Sequence, residues 1–162
     1  MQDDKLSLIT EYSVCNNEEL DKIFYNLQSS HFTNLQILRV NNCNGIMLDD
    51  FLIMLAYRSH KLKVINIEEC SLYHFCFNDE RYEDDKIFTQ LKELKLIKTN
   101  LSYMWFFDHP DYIDLGNLQI LHIIDVSCLQ YIFELYPPKK LHRLKELIIE
   151  KCEPYLPFFW II

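Results

Sequence analysis

Cysteine and histidine are the side chains of this sequence best suited to metal binding or nucleophilic catalysis, and their spacing limits both. Cys70, His74 and Cys76 form a C-x3-H-x-C pattern that offers three zinc ligands, but the second half of a paired zinc motif is missing. His122 stands near Asp125 and Cys128 in sequence. A catalytic thiol needs a base within hydrogen-bond reach and a third group to orient that base, and proximity in sequence supplies neither. No Ser/His/Asp order, catalytic carboxylate pair or H-E-x-x-H stretch stands out. Only two glycines, Gly45 and Gly116, occur in 162 residues, which excludes the glycine-rich loops that cradle nucleotide phosphates. The cysteines are read as structural and His122 as a sheet residue. No catalytic, cofactor-binding or metal-ligating residue is assigned.

Charge narrows the partners. With 16 Lys and Arg against 24 Asp and Glu, the chain carries a net charge of -8 and no basic footprint for nucleic acid or an anionic membrane. Proteins are the expected partners, and no small-molecule substrate is expected. The acidic start Met1-Gln2-Asp3-Asp4 lacks the positive and apolar regions of a signal peptide, and no apolar run approaches the roughly 20 residues of a membrane span. The expected address is cytoplasmic or nuclear, where the six cysteines stay reduced.

The elements that position these residues follow from a repeat. The template L-x-x-L-x-L-x-x-C starts at Leu35 (Leu38, Val40, Cys43), Leu62 (Ile65, Ile67, Cys70) and Leu91 (Leu94, Leu96, Thr99), then at Leu118 (Leu121, Ile123, Val126) and Leu144 (Leu147, Ile149, Cys152). The starts lie 27, 29, 27 and 26 residues apart, within the period of leucine-rich repeats. Phe32, Phe88, Leu115 and Leu141 stand three residues ahead of four starts. A degraded unit over residues 1–30 is expected to precede them, with Leu6 and Leu8 in its strand positions. The whole of residues 1–162 reads as one domain, and as part of a longer stack, because Pro154 to Ile162 forms no polar cap.

Apolar alternation in each L-x-L core predicts one short strand per unit, buried on one face. Stacked units give an α/β repeat fold: a leucine-rich-repeat horseshoe, or solenoid, with a short-stranded parallel concave sheet and an irregular helical or loop convex side. Two returns read as helix. One follows Asn16 and Asn17 as caps, with Leu20, Ile23, Phe24 and Leu27 at helical spacing. The other follows Asp49 and Asp50, with Phe51, Leu52 and Leu55. A further turn is expected over 129–136, closed by Pro137 and Pro138. Residues 77–87, rich in Asp and Glu, read as an exposed acidic loop, and Tyr103, Trp105, Phe106 and Phe107 as outer-side core.

The concave face should carry the binding residues. Its middle column runs Arg39, Asn66, Lys95, His122, Ile148, followed by Asn41, Glu68, Ile97, Ile124, Glu150 and then Asn42, Glu69, Lys98, Asp125, Lys151. Cys43, Cys70 and Cys152 share the position where the chain leaves the strand, which suits a small side chain that packs and weakly hydrogen-bonds the turn.

The units Phe32-Thr-Asn-Leu35-Gln-Ile-Leu38-Arg-Val40-Asn-Asn-Cys43, Leu115-Gly-Asn-Leu118-Gln-Ile-Leu121-His-Ile123 and Leu141-His-Arg-Leu144-Lys-Glu-Leu147-Ile-Ile149-Glu-Lys-Cys152 resemble the C-terminal leucine-rich repeats of plant intracellular nucleotide-binding immune receptors. The likeness covers about residues 30–155. It implies recognition of a pathogen effector or a host protein and restraint of an adjacent nucleotide-binding switch. That family's P-loop has no counterpart in this sequence, so nucleotide binding is carried to no position. Cysteine-ended repeats are also similar to those of F-box substrate adaptors of ubiquitin ligases. An F-box ahead of the repeats would select that alternative, and a P-loop the immune receptor.

Overall fold

A computed structural model of the protein describes residues 9–27, 32–74, 87–103, 114–127 and 141–152. Six short strands, β1 (Glu11–Val14), β2 (Ile37–Asn41), β3 (Val64–Glu68), β5 (Glu93–Ile97), β7 (Ile120–Ile124) and β8 (Glu146–Glu150), form one parallel sheet in that order. The register is the template itself. Leu38 stands beside Ile65, then Leu94, Leu121 and Leu147, while Val40, Ile67, Leu96, Ile123 and Ile149 make the next row. These rows face the core, and Leu38, Ile65, Leu94 and Leu121 are essentially inaccessible to solvent. Coverage thins at the last strand, where Leu147 is 40% exposed.

The degraded first unit is present, but not with the residues expected. Tyr12 and Val14 of β1 align with Leu38 and Val40, so they fill its strand positions; Leu6 and Leu8 lie outside the described residues. With Ile9 and Asn17 the unit reads I-x-x-Y-x-V-x-x-N. Tyr12 conceals the template because its ring, rather than an aliphatic side chain, packs on Phe32 with centroids 5.5 Å apart.

Five strands of this sheet, β2, β3, β5, β7 and β8, are opened and closed by the same backbone device. Before the strand, the amide of the first template leucine donates to the carbonyl three residues back: Leu35 to Phe32, Leu62 to Ser59, Leu91 to Phe88, Leu118 to Leu115 and Leu144 to Leu141. At Leu62 no apolar residue precedes, and the Ser59 hydroxyl instead donates to the Phe32 carbonyl at 3.0 Å. After the strand the chain turns a corner at Asn42, Glu69, Lys98, Asp125 and Lys151, all with φ between 48° and 54°. That left-handed geometry costs a typical L-residue roughly 1–2 kcal/mol. Four of the corners recover a hydrogen bond, donating to the strand ahead: Asn42 to Glu68, Glu69 to Ile97, Lys98 to Ile124 and Asp125 to Glu150.

The returns differ from one repeat to the next. α1 (Asn17–Leu27) follows β1, and its start is capped reciprocally, with the Glu19 amide donating to Asn16 Oδ1 and the Cys15 amide to Glu19 Oε2. α2 (Ile46–Arg58) follows β2 and packs against α1. It starts at Ile46, ahead of where a cap at Asp49 or Asp50 would place it, because Gly45, at φ 100°, turns the chain and its carbonyl accepts the Leu48 amide. Asp49 is therefore no cap. It is buried within the first turn, and its carboxylate accepts the Tyr73 amide at 3.2 Å.

Two returns begin as strands, which alternation in the template core did not reveal. β4 (Ser71–His74) pairs in parallel with β6 (Asn100–Tyr103), and bridges Asn44↔Ser71 and Asn100↔Ser127 extend the ladder across four repeats. Leu72 and Leu101, two residues beyond the turn position, anchor it in the core. Of the acidic loop, residues 77–86 lie outside the described residues, whereas Ile87, placed at its end, is buried in the core. The aromatic cluster beyond Tyr103 and the turn over 129–136 also lie outside the described residues.

Because Asn tolerates the left-handed corner and β-branched residues do not, Asn42→Val should lower stability by roughly 1–2 kcal/mol. Asn42→Gly should stay near neutral. Urea unfolding followed by circular dichroism distinguishes them.

Candidate functional site

The strand residues between the core-facing rows form the opposite face of the sheet. Period-two alternation places three columns there. The middle one, Arg39, Asn66, Lys95, His122 and Ile148, and the next, Asn41, Glu68, Ile97, Ile124 and Glu150, stand in the register the sequence reading gave them, and β1 adds Ser13 to the middle column. The third column, Glu11, Ile37, Val64, Glu93, Ile120 and Glu146, was missed. Extending the same alternation two residues toward the start of each strand would have found it.

That column changes the electrostatics of the face. Arg39 pairs with Glu11, Lys95 Nζ lies 2.9 Å from Glu93 Oε1, and His122 Nε2 lies 2.6 Å from Glu146 Oε1. At the corners Lys98 Nζ lies 3.0 Å from Glu69 Oε1. The hydrogen bond to Glu69 raises the Lys98 pKa, and the nearby Glu68 and Asp125 carboxylates reinforce it. The basic residues expected to reach for a partner are thus already engaged. His122 pairs with Glu146, not with Asp125, which lies exposed at the corner; Cys128 lies outside the described residues. Asn66 holds its Oδ1 buried with no hydrogen-bond donor among the described residues.

Chain-wide acidity conceals one basic edge. Where the strands begin, Lys61 donates to Asn34 Oδ1, Lys63 to Gln36 Oε1 and Arg143 to Asn117 Oδ1, linking equivalent positions of adjacent repeats through uncharged partners. Lys92 and Lys145 occupy the same edge. A sequence with a net charge of -8 therefore still has a local cationic rim.

The turn cysteines are structural. The Cys43 thiol donates to the Asn41 carbonyl at 3.4 Å, Cys70 to Glu68 at 3.1 Å, Cys152 to Glu150 at 3.4 Å, and the Thr99 hydroxyl does the same to Ile97 at 3.0 Å. Cys70, Thr99 and Cys152 also reach the carbonyl of the preceding repeat, at Val40, Ile67 and Ile123. The Cys43 amide donates to the Cys70 sulfur at 3.4 Å. A hydrogen bond to Cys70, then burial, pushes the Cys43 thiol well above its ordinary range, while the same bond holds Cys70 down against burial. Burial raises Cys152. In the C-x3-H-x-C pattern, Cys70 is hydrogen-bonded within this turn and Cys76 lies outside the described residues; no cluster suited to a metal ion occurs among the described residues.

Comparison with known families completes the assignment. The family model for leucine-rich repeats of plant disease resistance proteins of the RPS2-like kind matches residues 8–153. The chain belongs to this family. Membership in this RPS2-like family supports a role in plant defence recognition, and leucine-rich-repeat domains generally mediate contacts between proteins. The match begins at Leu8, so it takes in the unit whose strand is β1. A comparison with curated proteins finds no match. No helix among the described residues is long and apolar enough to cross a membrane.

The turn chemistry is open to two tests. Thr99→Val removes a hydroxyl hydrogen-bonded to two carbonyls and should cost about 1–2 kcal/mol in urea unfolding. Thr99→Cys, which keeps a donor, should cost less. For Cys152, whose burial makes its thiol ionise less readily folded than unfolded, the stabilisation is complete below the ordinary thiol range and lost above it. The urea midpoint should therefore fall between about pH 8 and pH 10, and less steeply in Cys152→Ala.

Proposed function

We propose that the chain is a noncatalytic recognition and regulatory module of a plant intracellular immune receptor. Its columned sheet face, the concave side of a horseshoe, senses a pathogen effector or a host protein in the cytoplasm, and the module restrains an adjacent nucleotide-binding switch. The observation that carries this reading is the unbroken register from β1 to β8, which sets Arg39, Asn66, Lys95, His122 and Ile148 side by side although they are far apart in sequence. An extended open sheet of this kind supports recognition of a macromolecular surface better than enclosure of a small substrate.

Proximity labelling in plant tissue tests the reading. Lys95→Glu with Lys98→Glu should change the set of labelled proteins while circular dichroism stays unchanged, and Tyr25→Ser on α1 should leave that set intact. An identical set for all three chains would remove the face from recognition.

A further inference from the structure

The sheet face has a charge surplus at two defined points. In the columns of Glu11 and Arg39 every cation is matched by a carboxylate, through Arg39–Glu11 and Lys95–Glu93, and Glu146 is held by His122. At the corners Glu69 is bonded to Lys98, and Asp125 and Lys151 offset one another in sign. The column Asn41, Glu68, Ile97, Ile124, Glu150 contains two carboxylates and no cation. Glu68 and Glu150 are exposed and form no ion pair with a described residue; Lys98, in the field of Glu68, is hydrogen-bonded to Glu69 instead. Between them stand Ile97 and Ile124, both partly accessible on neighbouring strands.

The sequence across the strands is thus acid, aliphatic, aliphatic, acid. Glu68 on β3 and Glu150 on β8 are three strand spacings apart, about 14 Å at roughly 4.8 Å per strand. An extended chain rises about 3.4 Å per residue, so this distance matches residues four apart. Residues i, i+2 and i+4 of such a chain project to the same side. The two sets of spacings therefore coincide.

We propose that this face binds an extended segment of a partner protein carrying basic side chains at i and i+4 and an apolar side chain at i+2. The cations meet Glu68 and Glu150, and the apolar group covers Ile97 and Ile124. This rests on the face being the recognition surface, and it specifies what is recognised there. Desolvated aliphatic contact supplies affinity, and the flanking charges select the partner and its register. The apolar centre favours a peptide over a purely ionic ligand.

The test is a synthetic peptide array probed with the purified full chain. Each peptide carries a Lys pair separated by two to eleven residues around a central Leu, and a second set replaces Lys with Glu. Binding should peak for Lys pairs four apart, fall about tenfold or more in Glu68→Lys/Glu150→Lys, and shift in that variant toward the Glu peptides. Ile97→Asp should abolish it, with folding checked by circular dichroism. A peak at ten or eleven residues would mean a helical ligand and overturn the extended segment. Equal binding of Lys and Glu peptides, still lost in Ile97→Asp, would refute the charge selection but keep the face. Binding indifferent to every face variant would refute both, and no binding to any Lys peptide would refute the proposal.

Discussion

A backbone amide or carbonyl buried without a partner costs on the order of 1–3 kcal/mol, and a strand that pairs with nothing buries a row of them. In this protein each strand of the main sheet meets that demand through the strands of the neighbouring repeats. The dependence extends beyond the strands. The carbonyls of Thr10, Gln36, Lys63, Lys92 and Gln119 each accept two successive amides from the following unit, and each strand's register is thereby fixed before its first residue pairs. Neither the returns nor the face has an independent means of setting position. Both inherit it from this translated set of bonds.

The same translation explains the residue choices at the corners. A left-handed corner is most easily made with glycine, yet Asn42, Glu69, Lys98, Asp125 and Lys151 make it here. The bond from the corner amide of Asn42, Glu69, Lys98 and Asp125 to the strand ahead holds the conformation in place. The residue after the corner is small, and Cys43, Cys70, Thr99 and Cys152 each donate there to a backbone carbonyl. Val126 fills the same place with packing alone. The exposed corner side chains are then free to vary in charge, and the ion pair Lys98–Glu69 lies there.

Much of the fold was legible because its signal is periodic. The core rows, the strand register and the two described face columns all follow from one template, since alternation leaves a side chain only two directions. The parts that were not legible break that period. Tyr12 and Val14 took the places given to Leu6 and Leu8, because an aromatic side chain disguised the first unit. Helix α2 began at Ile46 because a backbone corner at Gly45, not a capping carboxylate, started it. The face was legible in position but not in chemistry. That Arg39, Lys95 and His122 are engaged depends on Glu11, Glu93 and Glu146, and such pairings appear only when strands are placed side by side.

The repeated side-chain and backbone links join residues about one repeat period apart, as in Arg143 to Asn117, Lys61 to Asn34 and Lys98 to Glu69. Deleting or duplicating one whole period restores the same class of partner at each junction. A gene encoding such a chain can therefore gain or lose units by unequal recombination with little folding penalty, while a one-residue slip inside a strand would turn its core row outward. Change in length is tolerated in whole steps, and change in specificity is left to the columns of the open face.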